Sequence, residues 1–152
     1  MIGRIAHIGL TVSDINTSKK FYGEVLGLKF VGEMLMEGKE TDILFGFKNA
    51  KAKVAYFNGS DLINTPPVEL IEFVESPAQK DIPSLHKTSI SELCFYVDDI
   101  DKVYTLLLEK GVKFLSEPQF FDSTTYGFGK SKAVYLKDPD GNILEFMQDI
   151  ND

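Results

Sequence analysis

Residues 5–15 read Ile-Ala-His-Ile-Gly-Leu-Thr-Val-Ser-Asp-Ile, and residues 90–100 read Ile-Ser-Glu-Leu-Cys-Phe-Tyr-Val-Asp-Asp-Ile. Each stretch leads into an amphipathic segment and then into a matching tetrapeptide, Gly-Leu-Lys-Phe or Gly-Val-Lys-Phe. The chain therefore contains two copies of one structural unit, whose equivalent residues are expected to occupy equivalent places. In this repeat, His7 of the first copy is the counterpart of Glu92 in the second.

The spacing of apolar residues predicts a strand, a helix and three further strands in each copy, in the order βαβββ. We expect two modules, about 1–75 and 90–150, joined by a proline-containing linker at about 76–89. The predicted fold class is α+β, in which both modules contribute to an eight-stranded curved mixed sheet with helices outside and a central cleft. Residues 1–152 would form a single domain, since each module alone is small.

Three segments between the predicted strands need a separate interpretation. Residues 40–47 fit a short helix slightly better than a strand, because their apolar side chains follow helical spacing. Residues 119–130 read as an aromatic, glycine-containing loop. Asp-Pro-Asp-Gly at 138–141 is a turn between the last two strands, so its two aspartates are interpreted as turn formers rather than ligands.

Composition restricts the partners and the compartment. The formal net charge of −7 argues against nucleic acid, whose phosphates require a basic surface. A single cysteine excludes an intramolecular disulfide and fits a reducing compartment. Neither a signal peptide nor a membrane-spanning run of apolar residues is evident. These features predict a cytoplasmic protein without a membrane partner.

Strand alternation predicts a polar site. The aliphatic residues of each first strand face the following helix, so His7 and Glu92 point to the opposite face. Glu69 and Glu145, in the strands that close the two modules, are opposed to aliphatic neighbours in the same way. A divalent ion would relieve the repulsion among three carboxylates, and these donors suit Zn, Ni, Mn, Co or Fe. Taken singly, a strand histidine is more often structural and a glutamate more often solvated.

The chain resembles the vicinal oxygen chelate superfamily, which includes glyoxalase I, bleomycin-resistance proteins and extradiol dioxygenases, and is closest in type to uncharacterised glyoxalase-like proteins. The resemblance covers nearly the whole chain and is most specific at residues 7–14, 21–28 and 137–145. It implies His7, Glu69 and Glu145 as metal ligands. Glu92 departs from the pattern, because histidine is more common there in the metal enzymes. The extra negative charge would weaken the pull of the metal on a substrate oxygen.

The first functional hypothesis is a metal-dependent lyase or isomerase of the glyoxalase I type, in which the ion chelates vicinal oxygens of a small substrate. By resemblance, Glu145 would transfer a proton between neighbouring carbons, and Glu92 would share that role from its symmetric position. Phe121, Tyr126 and Phe128 would enclose the substrate. The alternative for these three aromatic residues is that they anchor their loop in the core.

The second hypothesis is a non-catalytic protein of the bleomycin-resistance type that binds and sequesters a small molecule. An extradiol dioxygenase is a weaker third choice, because its iron usually has two histidines and one carboxylate. His86, in the linker, is a poor substitute ligand. Cys94 lies on the same strand face as Glu92 and is interpreted as a small filler rather than a nucleophile. The resemblance further implies a homodimer.

Overall fold

The computed structural model describes residues 5–59, 67–74, 81–86, 88 and 90–150. Its regular elements, in chain order, are β1 (Ile8–Thr11), α1 (Ile15–Lys20), β2 (Lys29–Glu37), α2 (Lys39–Phe45), β3 (Lys51–Asn58), β4 (Val68–Phe73), β5 (Leu93–Tyr96), α3 (Ile100–Glu109), β6 (Lys113–Phe114), β7 (Gln119–Asp122), β8 (Lys130–Lys137) and β9 (Ile143–Ile150). A π-helical turn continues α1 over Phe21–Val25, and a 3-10 turn covers Thr124–Tyr126.

The chain divides into two compact units, Met1–Lys80 and Asp81–Asp152. We call these units the first and the second module from here on. The predicted linker at 76–89 lies largely outside the described residues. The single-domain organisation over 1–152 stays a prediction.

Each module contains its own mixed sheet, and the two sheets repeat one strand order. The first sheet runs β1-β4-β3-β2, and the second runs β5-β9-β8-β6 with β7 paired to β8. In both, the first strand is parallel to the last, while the other pairs are antiparallel. The α+β class is therefore confirmed, and the order βαβββ recurs in both modules apart from the additional helix α2 and the additional strand β7.

One local expectation is corrected and another is confirmed. The described strands number four and five rather than eight in all, because Gln119–Asp122 pairs with β8 where a loop was predicted. Its consecutive residues Phe120 and Phe121 are both exposed, so no alternation of buried and exposed residues marks this strand. The short helix favoured for 40–47 is confirmed as α2. That the two sheets form one curved surface around a central cleft stays a prediction.

In each module, a side chain from the last strand accepts a hydrogen bond from the first residue of the helix that follows the first strand, α1 or α3. The Ile15 N–H donates to Glu72 Oε2 over 2.7 Å, and the Ile100 N–H donates to Gln148 Oε1 over 2.8 Å. Each acceptor satisfies an N–H that has no partner within its helix. In both modules the acceptor lies three residues after the predicted site glutamate, Glu69 or Glu145. These hydrogen bonds therefore fix the position of the last strand relative to the helix.

Apolar side chains between sheet and helix form the core of each module. The fully buried set includes Tyr22, Val54, Phe57 and Leu70 in the first module, and Ile100, Leu136 and Leu144 in the second. Full burial of such a side chain contributes about 1.5–3 kcal/mol. No helix within the described part of the chain combines the length and apolarity needed to cross a membrane.

The hairpin between β8 and β9 is closed by a buried aspartate. Asp138 accepts hydrogen bonds from the backbone N–H groups of Asp140 and Asn142, and Gly141 adopts a positive φ of 86°. Only glycine takes that backbone conformation without strain. The interpretation of this segment as a turn is confirmed.

Candidate functional site

Three side chains meet on the sheet of the first module. Glu69 on β4 is buried, with only 8% of its surface exposed. One of its oxygens, Oε2, lies 3.3 Å from His7 Nε2. The other, Oε1, accepts a hydrogen bond of 2.6 Å from the Tyr56 hydroxyl. The carboxylate is therefore held between a phenol and an imidazole.

Strand register explains the meeting. Glu69 lies opposite Gly9 of the parallel strand β1 and opposite Tyr56 of the antiparallel strand β3. Directly opposed residues share one face of a sheet. His7 precedes Gly9 by two residues and is expected on the same face. Its ring packs edge-on against the Tyr56 ring at a centroid distance of 6.0 Å.

The Tyr56 hydroxyl is a hydrogen-bond donor at neutral and moderately alkaline pH. Desolvation, followed by the hydrogen bond and the negative charge of Glu69, raises the pKa of Tyr56 to about 12. The phenol is protonated at neutral pH and donates its hydrogen bond to Glu69 Oε1. Oε2 remains directed towards the imidazole, which carries a positive charge only when it is protonated.

The second module repeats this arrangement with different residues. Glu145 on β9 lies opposite Cys94 of β5 and opposite Tyr135 of β8. Cys94 thus takes the place of Gly9, Tyr135 the place of Tyr56, and Glu92 the place of His7. Burial, then the charge of Glu145, then that of Glu92 raise the pKa of Tyr135. Glu92 and Glu145 therefore act electrostatically on the same two side chains, Cys94 and Tyr135.

The Cys94 thiol is strongly disfavoured as an anion. The residue is exposed as a whole, yet its thiol is partly desolvated and contacts the Glu145 carboxylate. Desolvation, followed by the charge and hydrogen bond of Glu145 and then the charge of Glu92, raises the pKa of Cys94 to about 12. This supports the interpretation that Cys94 is not a nucleophile, because the thiolate is the reactive form. Its interpretation as a buried filler is wrong, since the residue is exposed.

We expect Cys94 to react slowly with iodoacetamide at pH 7.5 despite its exposure. The rate should rise with pH well beyond the usual thiol range, because the thiolate forms only near pH 12. Glu145→Gln should lower the thiol pKa and accelerate the reaction at pH 7.5. Mass spectrometry against time gives the rate, and the urea-unfolded chain is the control. Equal rates in the folded and unfolded protein would contradict the expectation.

The sequence-predicted ligands do not form a complete metal site within one module. His7 and Glu69 meet in the first module, whereas Glu92 and Glu145 belong to the second. Within either module alone, the described residues contain no group of three or more His, Cys, Asp or Glu side chains suited to hold an ion. Whether all four side chains bind one metal stays a prediction.

The donors in the first module nevertheless fit a divalent ion. Nitrogen and oxygen ligands about 2.0–2.2 Å from a metal lie about 3–3.5 Å from one another in tetrahedral or octahedral sites. The separation of 3.3 Å between His7 Nε2 and Glu69 Oε2 falls in this range. A hydrogen bond to a ligating carboxylate is also typical of metal sites, and the Tyr56 hydroxyl donates one to Glu69 here.

The three aromatic residues proposed to enclose a substrate are exposed in the second module. The exposed fractions are 51% for Phe121, 79% for Tyr126 and 86% for Phe128. The alternative that they anchor a loop in the core is therefore wrong. His86 is also exposed, with its backbone N–H bonded to Ser84 Oγ.

Sequence reasoning missed two tyrosines. Tyr56 and Tyr135 occupy equivalent strands of the two modules, each directly opposite the glutamate of its module. The signal was present in the similar segments Val-Ala-Tyr-Phe at 54–57 and Ala-Val-Tyr-Leu at 133–136. Extending the repeat to these strands would have identified the two tyrosines as equivalent residues.

Comparison with known proteins identifies a family and several relatives. The family model described as Glyoxalase/Bleomycin resistance protein/Dioxygenase superfamily matches residues 4–146. Virulence protein STM3117 of Salmonella typhimurium is 32% identical over 97% of this chain and 85% of its own length. A lactoylglutathione lyase of Schizosaccharomyces pombe is 24% identical over 95% of this chain and 47% of its own length.

Solved structures agree with this assignment at the level of the fold. A glyoxalase family protein from Bacillus cereus superposes with a TM-score of 0.83 at 19% identity, covering 99% of this chain and 97% of the other. The crystal structure of the Salmonella virulence protein gives a TM-score of 0.57 at 29% identity, and 99% of each chain is covered.

Proposed function

Because the chain belongs to the Glyoxalase/Bleomycin resistance protein/Dioxygenase superfamily, we propose that it is a metal-dependent lyase or isomerase of the glyoxalase I type. The proposal rests chiefly on the buried carboxylate of Glu69, which faces His7 Nε2 at 3.3 Å while Tyr56 fixes its second oxygen. Burial of a charged group is costly unless a partner compensates it. A divalent ion would be such a partner.

In this proposal His7 and Glu69 hold the ion from the first module, and Glu92 and Glu145 hold it from the second. The bound ion, whose identity among Zn, Ni, Mn, Co and Fe is open, would polarise two adjacent oxygens of a small substrate. The carboxylate of Glu145 would accept a proton from one substrate carbon and return it to the next. Glu92 would share this role from its symmetric position.

The substrate class follows from the chemistry of vicinal oxygens. A thiol adduct of a 2-oxoaldehyde carries a hydroxyl and a carbonyl on adjacent carbons, and Glu145 would remove the proton from the carbon that bears the hydroxyl. The similarity to a lactoylglutathione lyase supports this class. Phe121, Tyr126 and Phe128 would contact the apolar part of the adduct, since their rings are exposed.

A screen with methylglyoxal hemithioacetals of glutathione and other thiols tests the activity, with Ni²⁺, Mn²⁺ or Zn²⁺ added in turn. We expect turnover with at least one metal and thiol, and a fall in kcat of about 100-fold or more in Glu145→Gln. The control Glu117→Gln changes an exposed glutamate of the same module and should leave kcat unchanged. Turnover that survives Glu145→Gln would contradict the assigned proton transfer.

A second candidate function is non-catalytic binding of a small molecule. The exposed rings of Phe121, Tyr126 and Phe128 favour it, because uncovered aromatic faces bind planar or cationic ligands. Binding of such a ligand without any metal uptake, together with no turnover in the screen, would select this function over the lyase.

The proposal extends to the molecular context. We propose that the protein acts as a homodimer in the cytoplasm, with a small molecule rather than nucleic acid or a membrane as its partner. The single cysteine and the net charge of −7 support the compartment and the exclusion of nucleic acid. The family resemblance supports the dimer.

A further inference from the structure

The Glu69 carboxylate reaches His7 across a strand position that has no side chain. Glu69 is opposed to Gly9 in the register of β1 and β4, and His7 lies beyond Gly9 towards the chain start. A Cβ atom added at Gly9 would lie 3.1 Å from Glu69 Oε2 and 3.5 Å from Ile71 Cδ1. The carboxylate therefore occupies the space that any larger residue at this position would enter.

Backbone conformation does not explain the glycine. Gly9 lies inside a regular strand and has none of the positive φ values found at seven other glycines of the described chain. Glycine within a strand is unfavourable, because it loses more conformational freedom on folding and packs no side chain. The feature that favours glycine at position 9 is the close approach of Glu69 Oε2, because an added Cβ atom would lie only 3.1 Å from it.

The second module has a side chain at the equivalent position. Cys94 is opposed to Glu145 as Gly9 is opposed to Glu69, and its thiol makes a hydrogen bond with the Glu145 carboxylate. The residue two positions earlier is Glu92, where the first module has His7. The glycine therefore accompanies the imidazole–carboxylate pair, and the module without that pair has a larger residue in its place.

We infer that Gly9 is a positioning residue that lets the Glu69 carboxylate extend across β1 to His7, with Tyr56 holding its other oxygen. This inference rests on the proposed metal-binding function, whose first-module ligands are His7 and Glu69. A methyl group at position 9 displaces Oε2 by a few tenths of an ångström, and a branched side chain displaces it further. His7 Nε2 and Glu69 Oε2 then no longer keep the 3.3 Å separation that suits two ligands of one ion.

The first test is a titration of the full-length protein with Mn²⁺ by isothermal calorimetry. Gly9→Ala is expected to weaken binding, and Gly9→Val to weaken it by about 10–100-fold, the range found when the surroundings of a metal ligand are disturbed. The matched controls are Gly32→Ala and Gly32→Val. Gly32 also lies in a strand of the first module without a positive φ, and an added Cβ there meets nothing within 4 Å. The controls should bind Mn²⁺ like the unmodified protein.

A second readout needs no metal. The chain has two histidines, so the imidazole Hε1 signals of His7 and His86 are readily assigned in a proton NMR spectrum. Gly9→Val and Glu69→Gln should each shift the His7 signal and leave the His86 signal in place. Both Gly32 variants should leave both signals unchanged. The His7 signal reports on the contact between the imidazole and the carboxylate. A general effect on folding would shift the His86 signal as well.

The outcomes separate the two proposals. If Gly9→Val binds Mn²⁺ as tightly as Gly32→Val and does not shift the His7 signal, the positioning role of Gly9 is wrong. If the unmodified protein takes up no Mn²⁺, Ni²⁺ or Zn²⁺, the proposed function fails. In that case the His7 signal alone decides whether Gly9 positions Glu69.

Discussion

Glu69→Gln is expected to lower the affinity for a divalent ion by about 100-fold or more. Loss of a directly bound anionic ligand should exceed the effect of about 10–100-fold that follows from disturbing its surroundings. Glutamine preserves the shape of the side chain and an oxygen that can accept from Tyr56, so the fold should persist. Calorimetric titration with Mn²⁺ and Ni²⁺ measures the effect.

Two further variants are needed to interpret the effect of Glu69→Gln on metal affinity. Glu40→Gln, an exposed residue of α2 in the same module, is the matched control and should bind metal normally. Glu92→Gln should also weaken binding if all four predicted ligands act together. An unchanged affinity in Glu92→Gln beside a large loss in Glu69→Gln would replace the four-ligand site by a three-ligand site. Unchanged affinity in Glu69→Gln would reject Glu69 as a ligand.

Leu70→Ala is expected to lower the free energy of unfolding by about 3 kcal/mol. Leu70 is fully buried in β4, and removing a buried leucine side chain leaves a cavity that the core fills only in part. The corresponding fall in Tm is about 6–12 °C for a chain of this size. Urea titration and thermal unfolding followed by circular dichroism measure both quantities.

Leu44→Ala provides the control for this prediction. Leu44 is 69% exposed on α2, so the same substitution should change stability by no more than about 0.5 kcal/mol. Leu144→Ala, at a fully buried position of the second module, extends the test to the domain organisation. If both modules form a single domain, Leu70→Ala and Leu144→Ala each shift one common transition. Separate transitions, each sensitive to one variant, would contradict the single-domain prediction.

The fold was largely predictable because two independent periodicities agree. Helical and strand spacings define the order of elements, and the repeat requires that order twice. The aspartates before Ile15 and Ile100 cap their helices, because their side chains accept from the backbone N–H groups of Thr17 and Lys102. Strand β7 was missed because its residues are all exposed, which leaves no alternation to read.

The candidate site was predictable in part. Alternation indicated that His7 and Glu69 share a sheet face, and their 3.3 Å separation agrees with that indication. The roles of Tyr56 and Gly9 were not predictable from periodicity, because they depend on which residues the strand register places side by side. The alternation of a single strand shows which of its residues share a face, but not which residue of the neighbouring strand lies opposite each of them.

The prediction that residues of both modules bind one ion rests on a different argument. Alternation fixes the face of a residue within its own sheet and carries no information on how two sheets are placed. Glu92 and Glu145 were assigned to one site with His7 from the repeat and the family resemblance. Their common influence on Cys94 and Tyr135 is consistent with the predicted shared face within the second module.

Elemental analysis of the purified protein tests the central claim that His7 and Glu69 belong to a metal site. Protein prepared without added metal and without chelators should contain about one divalent ion per chain, as expected for a complete site. His7→Gln purified in parallel should contain far less. A protein that holds no Zn, Ni, Mn, Co or Fe, and takes up none after incubation with these ions, would contradict the account.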